Sequence, residues 1–78
     1  MAVYTYDEEV DALYILLVAD EEASIAKTEE IDDRIHVDLN EDGVMVGIEI
    51  LYPGRGVDLE GVRSRYGLQV RVPFKFAA

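Results

Sequence analysis

The chain has no cysteine and no tryptophan, only two prolines, and few basic residues. Without cysteine, neither a disulfide nor a thiolate metal site can reinforce the fold. No apolar run approaches the ~20 residues of a membrane-spanning helix. The apolar stretch Ala12 to Ala19 is short, and Asp7-Glu8-Glu9 before it is acidic where a signal peptide wants positive charge. A soluble, cytoplasmic protein without membrane contact is the expectation. Seven Lys and Arg residues face seventeen Asp and Glu, for a net charge of -10. That balance argues against nucleic acid as a ligand, because such binding rests on cations that neutralise phosphates. Arg55, Arg63, Arg65, Arg71 and Lys75 all lie after position 54, so the first two-thirds is strongly acidic. Such asymmetry steers a basic partner or simply keeps the chain soluble.

Against these absences stands a large apolar content. At 78 residues the chain is one small domain, 1–78, with little stability to spare. Half of its residues are hydrophobic, which is generous at this size and points to a shared core, hence a homodimer.

Val3-Tyr4-Thr5-Tyr6 reads as a first strand, being β-branched and aromatic. Asp7 to Asp11 is a polar connector. Ala12 to Val18 reads as a second strand with two apolar faces: Leu13, Ile15 and Leu17 on one, Tyr14, Leu16 and Val18 on the other. A second copy of the chain is expected to cover one of them. Ala23 to Glu29 fits a weaker third strand, although Ala, Lys and Glu there also favour helix. Glu30 to Asp33 is read as a turn. Ile35, Val37 and Leu39 then share one face, matched by Val44, Val46, Ile48 and Ile50, and Asn40–Gly43 joins the two runs as a hairpin. Gly47 marks a place where an opposing neighbour leaves no room for a side chain. Asp58 is placed to cap a short helix from Leu59 to Tyr66 that stops at Gly67, with Gly61 a weak point inside it. Leu68, Val70, Val72, Phe74 and Phe76 alternate with polar residues and Pro73, which predicts a final edge strand. The fold class that follows is mainly β, α+β at the margin: an antiparallel meander, a short C-terminal helix and that last strand.

The hairpin carries a second pattern. Asp38-x-Asn40-x-Asp42-Gly43, followed after five residues by Glu49, satisfies a calcium-loop motif. Asp38, Asn40 and Asp42 would supply hard oxygen ligands and Glu49 would close the shell. That loop needs a helix on each side, whereas the flanks here alternate at period two. Extended at about 3.3 Å per residue, the second strand carries Glu49 out of reach of an ion in the turn. A weak cation site built from Asp38, Asn40 and Asp42 alone stays open beside the plain reading of turn residues.

His36 is the only histidine, and with Asp38 on the same strand face it suits proton transfer or metal binding. A solvent-facing strand residue is the simpler account. Asp7, Glu8, Glu9 and Asp11 form a carboxylate cluster of the kind that can split pKa values for acid–base work, but adjacent carboxylates on a connector are ordinarily just solvated. Ser24 and Ser64 lack a nucleophile's partners, and Gly54-Arg55-Gly56 is too short for a phosphate loop. No catalytic residue and no cofactor is assigned. Tyr4, Tyr6, Tyr14 and Tyr52 suit both strands and protein interfaces.

Tyr6-Asp7-Glu8-Glu9-Val10-Asp11-Ala12-Leu13-Tyr14-Ile15 and Asp38-x-Asn40-Glu41-Asp42-Gly43-x-x-Val46-Gly47-Ile48-Glu49-Ile50-Leu51 resemble two signatures of the prokaryotic domain-of-unknown-function family 2283. The resemblance covers about residues 4 to 51. It implies a small β-rich protein with no catalytic residues to carry over, and an antitoxin-like role beside small toxin-like neighbours. The segment after Pro53 departs from the shorter members. The functional expectation is therefore a homodimeric protein-interaction module, an antitoxin-like partner of a basic protein. The alternative is a small-ligand or weak cation-binding protein that uses the acidic turn.

Overall fold

In the computed structural model, residues 2–19 and 23–67 are described. The first hairpin joins β1 (Val3–Asp7) to β2 (Ala12–Leu16). Its connector turns at Asp11, which takes a left-handed backbone (φ 53) that Asp tolerates better than most residues. Asp11 is held there: the Tyr6 hydroxyl donates to its Oδ1 at 2.7 Å, and the Tyr52 N–H donates to its carbonyl at 2.8 Å.

β3 (Lys27–Asp32), β4 (Ile35–Leu39) and β5 (Met45–Leu51) complete an antiparallel five-stranded sheet of order β1-β2-β5-β4-β3. The strands expected within the described residues are present, β4 with its expected ends and the others with shifted ones. β2 stops at Leu16 rather than Val18, and β5 begins at Met45. The third strand lies later than 23–29 and is extended, not helical. It runs through Asp32, so the chain reverses at Asp33–Arg34, where the Asp32 carboxylate accepts the Arg34 N–H at 2.8 Å. Pairing with β4 moves this strand, because it puts Glu30 opposite His36 and Thr28 opposite Asp38.

The hairpin between β4 and β5 falls at Asn40–Gly43 as the sequence predicts. Asn40 Oδ1 accepts the backbone N–H groups of Asp42 and Val44, both at 2.9 Å, and Gly43 supplies φ 77. Both flanks are strands, which excludes the helix–loop–helix of a calcium-binding hand.

One face of the sheet is the core. Leu13, Ile15, Ile35, Val37, Ile48 and Ile50 line it, each nearly sealed from solvent. The chain returns across this face through a 3-10 turn (Pro53–Arg55) and α1 (Glu60–Tyr66), which adds Leu59 and Val62 to the same core. The helix thus covers the Leu13–Ile15 side of β2 with the chain's own residues. Its N-cap is Leu59, which makes no side-chain cap bond. Asp58 stands one residue earlier and accepts the Glu60 N–H at 3.0 Å. Gly67 ends the helix in a left-handed conformation, as expected. Gly61, expected to be a weak point, permits close packing: a Cβ there would lie 2.8 Å from the Ile31 methyl.

Arg34 fastens this return segment. Its guanidinium donates to the carbonyls of Leu51 (3.3 Å), Tyr52 (2.8 Å) and Gly56 (2.9 Å). Those bonds hold Tyr52, a non-glycine residue at φ 51. The predicted strand over 68–76 lies outside the described residues.

Candidate functional site

The opposite face of the sheet carries the chain's polar constellation, and the strand register builds it. Directly opposed residues of antiparallel strands share a face. Thr5, Tyr14, Glu49, His36 and Glu30 therefore form one row across all five strands. Val3, Leu16, Gly47, Asp38 and Thr28 form the next row.

The second row is locked by hydroxyls. Tyr14 donates to Asp38 Oδ2 at 2.7 Å, and Thr28 donates to Asp38 Oδ1 at 2.6 Å. The Tyr14 ring reaches Asp38 by lying over Gly47. A Cβ at position 47 would sit 1.8 Å from the tyrosine hydroxyl, so only glycine leaves room. Burial of the ring, the bond to Asp38 and the nearby Asp38 and Glu49 charges push the Tyr14 hydroxyl far above its ordinary range. It remains a neutral donor.

The first row sets an imidazole between two carboxylates. Glu49 lies 3.5 Å from His36 Nδ1 and Glu30 lies 3.6 Å from Nε2. These distances are too long for good hydrogen bonds. Nδ1 is shielded from solvent and has no hydrogen-bond partner among the described residues. The two carboxylate side chains are open, Glu30 at 67% and Glu49 at 45% exposure. His36 and Asp38 thus share a face, as expected, with Asp38 bonded to Tyr14 and Thr28 and His36 set between Glu30 and Glu49.

Of the three residues expected to form a weak cation site, two are bonded within the fold. Asp38 faces the sheet and accepts from Tyr14 and Thr28, while Asn40 Oδ1 accepts two backbone N–H groups of the turn. A shallow polar hollow of about 250 Å³ lies beside the turn, lined by Ser24, Asn40, Glu41 and Asp42. Among the described residues, no group of three His, Cys, Asp or Glu side chains is placed to hold a metal ion. Two members of the N-terminal carboxylate cluster are likewise bonded locally. Asp7 accepts the Glu9 N–H at 3.0 Å, and Asp11 accepts from Tyr6.

An open apolar groove of about 440 Å³ runs between the ends of β2, β5 and α1, lined by Leu17, Val18, Gly43, Val44, Met45 and Tyr66. The Tyr66 hydroxyl crosses to β3 and donates to Glu29, which lowers that carboxyl's pKa, with Lys27 at 3.2 Å assisting.

Sequence reasoning placed His36, Asp38 and Gly47 but missed Tyr14, Glu30 and Glu49 as their partners. The signal was present. The Asn40–Gly43 turn fixes which residues of β4 and β5 face one another, and period two then carries Glu49 beside His36. The partners on β3 required the boundary of that strand, which composition left ambiguous.

Among the described residues, no helix is long and apolar enough to cross a membrane. Comparison with curated proteins and with solved structures returns no match. Residues 4–52 match the family described as protein of unknown function (DUF2283), a span that holds β2 to β5 entire and β1 from Tyr4 onward. With that match covering more than half of its length, the chain belongs to this family.

Proposed function

We propose that this protein is an interaction module whose open sheet face engages a basic protein, in the manner of an antitoxin-like partner. The observation that supports this reading is the Glu49–His36–Glu30 row. Two exposed carboxylates flank an imidazole, and no Lys or Arg neutralises either one among the described residues. Charges left unneutralised on a rigid sheet are suited to steering and orienting a cationic surface. Asp38, which accepts one hydroxyl on each carboxylate oxygen, is held in place within that face.

The test is capture from native cells by a tagged chain, in parallel with a Glu30→Lys, Glu49→Lys variant. The parent should retain a basic protein, release it with rising salt, and lose it in the variant while the melting temperature stays close to the parent's. Equal capture by both chains would refute the open face as the binding surface.

Self-association is the second reading. The groove at Leu17, Val18, Val44, Met45 and Tyr66 favours it, because that surface is apolar and Val44 is 53% exposed. The open face is the poorer place for a two-fold contact, since it would bring acidic surfaces together. Light scattering at high micromolar concentration, on the parent and on Val44→Lys, measures it. A dimer that the lysine dissolves is the expected result.

A further inference from the structure

β3 is an edge strand whose only neighbour among the described residues is β4. Alternate residues of an edge strand present unpaired backbone donors and acceptors outward, a ready template for another strand. The regular part of this edge is Lys27–Glu30, since the register shifts between Glu30 and Asp32. Glu30 also terminates the polar row, its side chain 67% exposed. A residue on an added strand would take the next place in that row, directly opposite Glu30, where a cation is the favoured cross-strand partner. Lys27 does not compete for this place, because it is paired with Glu29 at 3.2 Å on the other side of the sheet.

We infer that the outer edge of β3 accepts an extended arginine- or lysine-bearing segment of the partner as a further strand, with a cationic side chain opposite Glu30. The partner's charge rests on the reading above; the edge geometry is independent of it. A second copy of the chain is the poorer occupant. Each copy carries a net charge of -10, and a two-fold axis centred on Glu29 or Glu30 sets like carboxylates face to face. A basic segment gains main-chain bonds from the edge and selectivity from Glu30, the two components of recognition by strand addition.

The probe is a short peptide alternating arginine and valine, measured for affinity and for its effect on backbone hydrogen exchange in the full chain. Binding should slow exchange at amides within Lys27–Glu30. It should weaken about tenfold in Glu30→Lys, near the free energy of one strong charge pair. N-methylation of alternate peptide amides should abolish binding in one phase and spare it in the other, because only one set of amides faces β3. Binding that leaves the β3 amides unprotected, or is indifferent to methylation phase, overturns strand addition while leaving the acidic-face reading intact. Protection of the same amides without peptide overturns it, in favour of a second copy where the protection depends on concentration and of the chain's own segment 68–76 where it does not. Absence of binding at low salt overturns both the edge and the basic partner.

Discussion

The two faces of the sheet are made by the same strands and differ at every alternate residue. On the covered face, Ile15, Val37 and Ile48 are fully sealed beneath α1, and no polar or charged residue is buried among the described residues. On the open face, the residues between them are Tyr14, His36, Asp38 and Glu49, held by hydroxyl–carboxylate bonds or by nothing. The first face is shaped by the cost of leaving apolar area in water. The second is bonded where Tyr14 and Thr28 close on Asp38, and leaves Glu30 and Glu49 exposed beside His36 with no Lys or Arg partner among the described residues. A strand pattern with period two therefore separates the residues that form the core from those that face solvent.

The sharpest way to break this division is to damage the covered face. Ile48→Ala, at the centre of the core, should lower unfolding free energy by about 2–4 kcal/mol in a denaturant titration, which a domain of this size can hardly tolerate. The next largest effect comes through register, since a slip by one residue would exchange the two faces. Gly43→Val forces a β-branched residue to φ 77 in the turn that sets this register and should cost about 1 kcal/mol or more, read from thermal melts. Gly47→Ala probes the open face alone. The new methyl displaces the end of Tyr14 from Asp38, at a cost of about 1 kcal/mol. Tyr14→Ala in the same chain should recover part of that loss, which a double-mutant cycle measures; strict additivity would show that the close approach is harmless.

The smallest effect is a pH dependence. The Glu29 carboxyl is lowered by its bond from Tyr66 and then by Lys27. A depressed folded-state pKa gives stability that is complete above the ordinary value of 4.5 and is lost as the pH falls through the lower folded value. The melting temperature of the parent should exceed that of Tyr66→Phe at neutral pH, with the gap closing in acid. A gap unchanged down to pH 3 would mean that Tyr66 acts through its ring alone.

Where period two or a turn residue acted locally, the sequence was legible. β4 was read with its observed ends, the Asn40–Gly43 hairpin with its residues, and Gly47 with the reason for its small size. β3 was misplaced because Ala, Lys, Thr and Glu have no local preference strong enough to fix a boundary. Pairing with β4 decides it instead. Tyr14 looked like an apolar residue of a doubly buried strand. Its hydroxyl found Asp38, 24 positions away, and only the assembled register brings them together. Arg34 gave no signal at all, since its three acceptors are backbone carbonyls and any sequence supplies those.

That last contact bears on how a chain of this kind can change over time. The family match ends at residue 52, yet Arg34, well inside it, reaches past that limit to the carbonyl of Gly56. The bonds by which Arg34 holds the C-terminal arm thus read its backbone and not its side chains. A different arm spliced on after Tyr52 would need a glycine where Gly56 takes φ 105 and offers its carbonyl, and apolar residues where Leu59 and Val62 lie.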